Sequence, residues 1–119
     1  VLRVHLPESG IRQALLNLLL NAVDALEGGS GCILIKAHVD KEGLFIDVLD
    51  NGPGFPQELL DYGIRTFRTS RSGGTGLGLS MVQRFVREIG GTIKLSNQQP
   101  HGACVTVLLP HDCLLGERK

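Results

Sequence analysis

The apolar positions near the start of the chain recur at helical spacing. Leu15, Leu18, Leu19, Ala22 and Leu26 supply one core-facing side, while Leu16, Leu20 and Val23 carry apolar surface round another. The spacing predicts a largely buried helix from Pro7 or Glu8 to Leu26. Its first two residues suit a first turn, and Gly28-Gly29 follow its end. Val1 to Leu6 alternates as a short edge strand. Cys32 to Val39 and Leu44 to Leu49 are period-two segments either side of a turn near Asp40 to Gly43, which predicts a hairpin. Residues 51–76 hold six glycines and two prolines, a long loop with one helical turn at Pro56 to Leu60; a loop of that length in a compact domain is usually functional. Val82, Phe85, Val86 and Ile89 mark an amphipathic helix from Leu77 to Ile89, ended by Gly90-Gly91. Strands at Thr92 to Ser96 and Cys104 to Leu109, joined by a turn at Asn97 to Gly102, close the sheet. This order predicts an α/β two-layer sandwich, with two long helices on one face of a mixed sheet.

Length and composition narrow the picture. The 119 residues are enough for one core and one domain, and 42% hydrophobic with 20% charged residues describes a soluble globular protein. Twelve basic side chains balance twelve acidic ones, so no global basic field draws the chain to nucleic acid or to a membrane surface. Any polyanion must be bound locally. Apolar runs such as Leu18-Leu19-Leu20 are too short to span a bilayer, and no leader opens the chain, so a cytoplasmic location is expected. Cys32, Cys104 and Cys113 lack metal-ligand spacing and read as reduced structural thiols, the first two as small hydrophobes in strands.

Candidate chemistry begins with a polar seam on the first helix. At about 100° per residue, Gln13, Asn17, Asn21 and Asp24 fall within an arc of about 80° on a helix that is otherwise mostly apolar. Buried amides left unpaired cost about 1–3 kcal/mol each, so the seam needs partners or a wet cleft. An asparagine carbonyl is a neutral, hard ligand suited to Mg²⁺ whose other sites go to phosphates and water, a task open to Asn21.

Asp50 continues the face of Leu44, Ile46 and Val48, which turns a carboxylate toward the core. It requires a donor that the apolar face cannot give, such as an adenine amino group. In the turn that follows, Gly52 and Gly54 permit positive φ and close approach to a flat ligand. Further on, Gly73-Gly74-Thr75-Gly76-Leu77-Gly78-Leu79-Ser80 leads into the second helix and offers amides and a positive dipole end to phosphate. The spacing fits neither the dinucleotide-binding glycine motif nor a P-loop. Arg68 and Arg71 flank Thr69-Ser70 within reach of terminal phosphates, and Phe67 stands as an anchor, either of a mobile lid or of an ordinary loop.

In this order the features resemble the N box, G1 box, F box and G2 box of the catalytic and ATP-binding domain of sensor histidine kinases. Its Bergerat fold is shared with gyrase, Hsp90 and MutL. The N box is Asn17-Leu18-Leu19-Leu20-Asn21-Ala22-Val23-Asp24-Ala25, the G1 box Asp50-Asn51-Gly52-Pro53-Gly54, the F box Phe67-Arg68-Thr69-Ser70-Arg71 and the G2 box Gly74-Thr75-Gly76-Leu77-Gly78-Leu79. The resemblance implies ATP and Mg²⁺ as ligands, with Asn21 on the metal and Asp50 on the adenine amino group. Gly52 and Gly54 would shape that pocket, Arg71 would approach the terminal phosphates, and Gly74, Gly76 and Gly78 would lie along them. Asn17, Asp24, Phe67, Thr69, Thr75, Leu77 and Leu79 complete the implied nucleotide-binding set, with Asn17 and Arg71 as its catalytic members.

Position 17 separates the subfamilies. The superfamily's ATPases usually carry glutamate there to activate water, whereas many histidine kinases carry asparagine, which is no general base near neutral pH. The resemblance therefore implies a protein histidine kinase that presents the γ-phosphate to an external histidine in two-component signalling. A hydrolytic ATPase and a non-catalytic nucleotide-binding module are the alternatives. His5, His38, His101 and His111 are the only histidines, and none lies in a long helical hairpin. The implied partners are the kinase's own dimerisation and phosphoacceptor domain, outside these residues, and a downstream response-regulator receiver domain. The fragment would be monomeric and the full kinase a homodimer.

Overall fold

The computed structural model describes residues 6–26, 31–64 and 75–110, with 75–77 described as backbone alone. The expected strand at Val1 to Leu6 and Cys113 fall outside these residues. Helix α1 spans Glu8–Ala25, one residue short of the expected end. Pro7 stands ahead of it with φ −61°, and the Ile11 amide donates to the Pro7 carbonyl at 2.9 Å. Glu8 in the first turn suits the positive end of the helix and pairs with Arg12 one turn on. Ala14, Leu18, Ala22 and Ala25 are buried, and Leu15, Leu19 and Leu26 are half-buried. Leu16, Leu20 and Val23 are 46%, 51% and 52% exposed, so the helix is not buried round its apolar circumference as expected. They lie about half a turn from the core side, and a two-layer domain has nothing beyond its helical layer.

Strands β1 (Ile33–Asp40) and β2 (Gly43–Asp50) form the expected hairpin, antiparallel from Ile33 opposite Asp50 to Asp40 opposite Gly43. The short helix α2 (Gln57–Tyr62) occupies the anticipated turn, and α3 spans Thr75–Glu88. Strands β3 (Thr92–Asn97) and β4 (Ala103–Pro110) complete a sheet of order β1-β2-β4-β3. Every pairing among the described strands is antiparallel; the expected mixed sheet also counted the strand at Val1 to Leu6, which lies outside these residues. The α3 crossover does connect two strands of the same direction, β2 and β3. Strand β4 lies between them and is antiparallel to both, so no parallel pair forms.

Ala103, Val105, Val107 and Leu109 of β4 and Leu44 and Val48 of β2 turn one face of the sheet toward the helices. Leu79, Val82 and Val86 of α3 fill the layer above, with Phe85 at its edge; a Cβ on Gly10 of α1 would run into the Phe85 ring, so glycine lets the two helices close. Helix α3 begins two residues earlier than expected. Gly76 and Gly78 therefore belong to its first turn, at about 1 kcal/mol each relative to alanine, which the burial of Leu79 and Val82 offsets. It ends at Gly90, φ +90°, where the amides of Gly90 and Gly91 donate to Arg87 and Val86 in a Schellman arrangement.

On the other face of the sheet the Thr106 hydroxyl donates to Asp47 at 2.6 Å, and Cys104 is half-buried beside it. Cys32 is free and exposed ahead of β1, not packed as a small hydrophobe. His38 is exposed and stacks on Phe45 with ring centroids 4.8 Å apart. Among the described residues no helix is long and apolar enough to cross a membrane.

Candidate functional site

The polar seam of α1 runs from exposed Gln13 through half-buried Asn17 to buried Asn21, and emerges at exposed Asp24. Asn17 lies against the start of α3, its Cβ 3.9 Å from where a Cβ on Gly78 would stand. Gln13 Nε2 donates to Asn17 Oδ1 at 3.1 Å. Asn21 is 6% exposed, and among the described residues its Oδ1 has no hydrogen-bond partner. A buried acceptor left unpaired is a standing cost, and such atoms call for a specific explanation.

Asp50 ends β2 on the core face, 4% exposed. Its Oδ1 accepts the amides of Gly52 at 2.8 Å and Ala103 at 3.3 Å. Backbone therefore supplies donors that the apolar face lacks, a solution absent from the sequence expectation. Both bonds end on Oδ1, and among the described residues none reaches Oδ2. Gly54 has the anticipated positive φ, +91°, but Gly52 does not. Gly52 is needed for close approach instead: a Cβ there would sit 2.8 Å from the Ala25 carbonyl at the end of α1.

The β3–β4 turn braces this loop, a role no sequence feature announced. Asn97 Oδ1 accepts the Phe55 amide at 2.7 Å, and its Nδ2 donates to the Phe55 carbonyl at 3.0 Å. Gln98 Nε2 donates to the Asp50 carbonyl at 2.7 Å, and His101 Nδ1 meets the Gly52 carbonyl at 3.1 Å. Phe55, Leu59 and Ile64 anchor the following segment in the core. The only signal in the sequence was a polar turn, whose partners lie 42 to 53 residues away.

Phe67, Arg68, Thr69, Arg71 and Gly74 lie outside the described residues. Thr75, Gly76 and Leu77 form the first turn of α3, and the Leu79 side chain is buried in the core. Among the described residues no cluster of three or more acidic, histidine or cysteine side chains is placed to hold a metal ion. The site instead offers a buried neutral oxygen, a carboxylate with one uncommitted oxygen, and the N-terminus of a 14-residue helix. Those groups suit a ligand that combines an amino group, a cation and phosphates.

The family model described as histidine kinase-, DNA gyrase B- and HSP90-like ATPase matches residues 7–112, which contain every described element. The chain belongs to this family. Within it, the similar proteins are sensor histidine kinases. ZraS of Escherichia coli (strain K12) is 39% identical over 100 residues, which cover 84% of this chain and 21% of ZraS. The catalytic domain of histidine kinase ThkA superposes with a TM-score of 0.79 at 31% identity, covering 90% of this chain and 70% of that one. Full-length ShkA in complex with AMPPNP gives 0.68 at 31% identity, covering 87% of this chain and 22% of ShkA. The chain thus spans about a fifth of the curated relative's length. Fold and family together make it an ATP-binding domain of the sensor histidine kinase type.

Proposed function

We propose that this domain holds Mg-ATP between α1, the loop after β2 and the start of α3, and presents the γ-phosphate to a histidine on a separate dimerisation domain. The observation that carries the reading is Asn21 Oδ1, a buried acceptor without a partner in a polar seam that faces α3. A hard cation satisfies such an atom without the added negative charge that a carboxylate would bring beside a triphosphate. Mg²⁺ at this oxygen supplies charge neutralisation to the phosphates.

The chain's own residues do the rest. Asp50 Oδ2 accepts from the adenine amino group while Oδ1 stays tied to Gly52 and Ala103. Gly52 and Gly54 let the loop approach the base, and the α3 N-terminus takes the phosphates, with Arg71 from the segment before it. Asn17 accepts no proton at neutral pH, so water is not activated and an external imidazole is the nucleophile. The relatives' names, sensor histidine kinases, support transfer to a histidine; a two-component pathway with the kinase's own phosphoacceptor domain, a homodimer, a response regulator and a cytoplasmic setting completes the proposal.

Calorimetric titration and labelling with γ-labelled ATP test this. Mg-dependent ATP binding without incorporation of label into this chain is expected. Autophosphorylation of the chain alone, or steady phosphate release without an acceptor, would overturn the proposal.

A further inference from the structure

Strands β2 and β4 pair from Gly43 opposite Pro110 to Leu49 opposite Cys104. In an antiparallel ladder, alternate pairs exchange both backbone bonds. Pro110 has no amide to give, so the exchange falls on Leu44 with Leu109, Ile46 with Val107, and Val48 with Val105. Its next place is Asp50 with Ala103, one step beyond the last pair of the ladder. There the Ala103 amide donates to the Asp50 side chain, at Oδ1 and 3.3 Å, and the Asp50 carbonyl takes Gln98 Nε2 at 2.7 Å. A carbonyl only accepts, so its partner must be the nitrogen end of the Gln98 amide. Gln98 is itself fixed. Its backbone amide donates to the Gly102 carbonyl at 2.8 Å, and its side chain is half-buried. A Cβ on Gly102 would run into the Asp50 carbonyl oxygen, so glycine lets the turn close on it.

We propose that Gln98 is a positioning residue for adenine: by taking the Asp50 carbonyl it leaves the Ala103 amide to the Asp50 carboxylate, and so aims Oδ2 at the base. The inference rests on the proposed function, which sets the adenine amino group at Oδ2. Two acceptors of Asp50, its carbonyl and its carboxylate, compete for one amide. A carbonyl inside the fold without a donor is costly, so removing Gln98 makes the ladder bond from Ala103 its nearest replacement. The carboxylate then keeps the Gly52 amide alone. One bond tethers Oδ1 but leaves the carboxylate free to turn about it, whereas two set its plane and the direction of Oδ2. The rest of the turn is engaged elsewhere, Asn97 with Phe55 and His101 with the Gly52 carbonyl.

Gln98→Met and Gln98→Glu in the 119-residue chain test this, alone and combined with Asp50→Asn. ATP and GTP are titrated calorimetrically in Mg²⁺, with thermal melts of each variant. Methionine keeps the length of the side chain without a donor, and glutamate sets an acceptor against the carbonyl. Gln98→Met should lower ATP affinity about five- to tenfold and GTP affinity less than about twofold, and Gln98→Glu should lower ATP affinity at least as far. In the Asp50→Asn background, which has already lost the adenine contact, Gln98→Met should change ATP affinity less than about twofold, because the two residues act as one unit. NMR gives a reading free of nucleotide. Asp50→Asn should shift the Ala103 amide proton strongly when Gln98 is present and much less beside Gln98→Met. A parallel fall of ATP affinity, GTP affinity and melting temperature overturns the inference, since it marks a merely structural role. So does an ATP loss that persists in full in the Asp50→Asn background, or an Ala103 response that is the same with and without Gln98. A wild-type chain that bound neither nucleotide would overturn the proposed function and this inference together; selective ATP binding that Gln98→Met left unchanged would overturn this inference alone.

Discussion

Replacing Asn21 by alanine should raise the stability of the ligand-free domain and weaken its Mg-dependent binding of ATP. The first half opposes the usual cost of truncating a buried residue. Asn21 is 6% exposed and its Oδ1 is unpaired, which costs about 1–3 kcal/mol that alanine recovers. Alanine also gains roughly 0.5–0.7 kcal/mol of helix propensity in the interior of α1. Against these stands the void left by a three-atom amide, about 1 kcal/mol where the surroundings relax only partly. The balance is a gain of about 1 kcal/mol, which in a chain of this size raises the melting temperature by roughly 3–5 °C. Leu18→Ala, one turn earlier on the same helix and 2% exposed, is the contrast: it should lose about 3 kcal/mol. Thermal melts by circular dichroism read both variants. With Mg²⁺ present, ATP affinity of Asn21→Ala should fall about tenfold or more, as expected for the loss of a ligand to a charged group. A drop in melting temperature beyond about 2 °C would refute the account of Oδ1 as an orphan acceptor, because packing would then outweigh it. Unchanged ATP titration would refute its assignment to the metal.

Two further substitutions separate the loop from its brace. Asp50→Asn keeps an oxygen for the amides of Gly52 and Ala103 but puts an N–H₂ where Oδ2 stood, so ATP affinity should fall about tenfold while GTP binding changes little; equal losses in calorimetric titration would argue against the adenine contact. Asn97→Ala unpairs the Phe55 amide and carbonyl and should cost about 1–2 kcal/mol, since water replaces part of what is lost at this half-open site. Hydrogen exchange at residues 52–55 should quicken well before global unfolding, and unchanged protection there would show that the brace is dispensable.

Much of the fold was legible because single-element patterns carried it. The alternation of Leu44, Ile46 and Val48 placed Asp50 on the core face, and the helical spacing of Asn17 and Asn21 placed both on one seam. Both placements hold. Periodicity failed where the answer depended on a second element. It cannot say whether Leu16, Leu20 and Val23 have a layer above them, and they do not. It cannot order strands, so the insertion of β4 between β2 and β3 was out of reach. Glycine misled twice. At Gly76 it suggested a loop where packing of Leu79 and Val82 extends the helix, and at Gly52 it suggested unusual φ where the need is space beneath the Ala25 carbonyl. Asn97, Gln98 and His101 were invisible as functional supports, since their meaning lies in the loop they touch across the sheet edge.

The position of β4 also orders events in time. The last strand made is an inner strand of the sheet, and the turn leading into it carries the groups that shape the loop after β2. Closing Asp50 onto Ala103 spans 53 residues, and long closures form late. A ribosome-bound chain that has completed α1, β1 and β2 therefore holds Asn21 and Asp50 but no finished pocket. Under the proposed function, a nucleotide contact at Asp50 is complete only in a chain whose synthesis has passed the start of β4, because the Ala103 amide holds Oδ1.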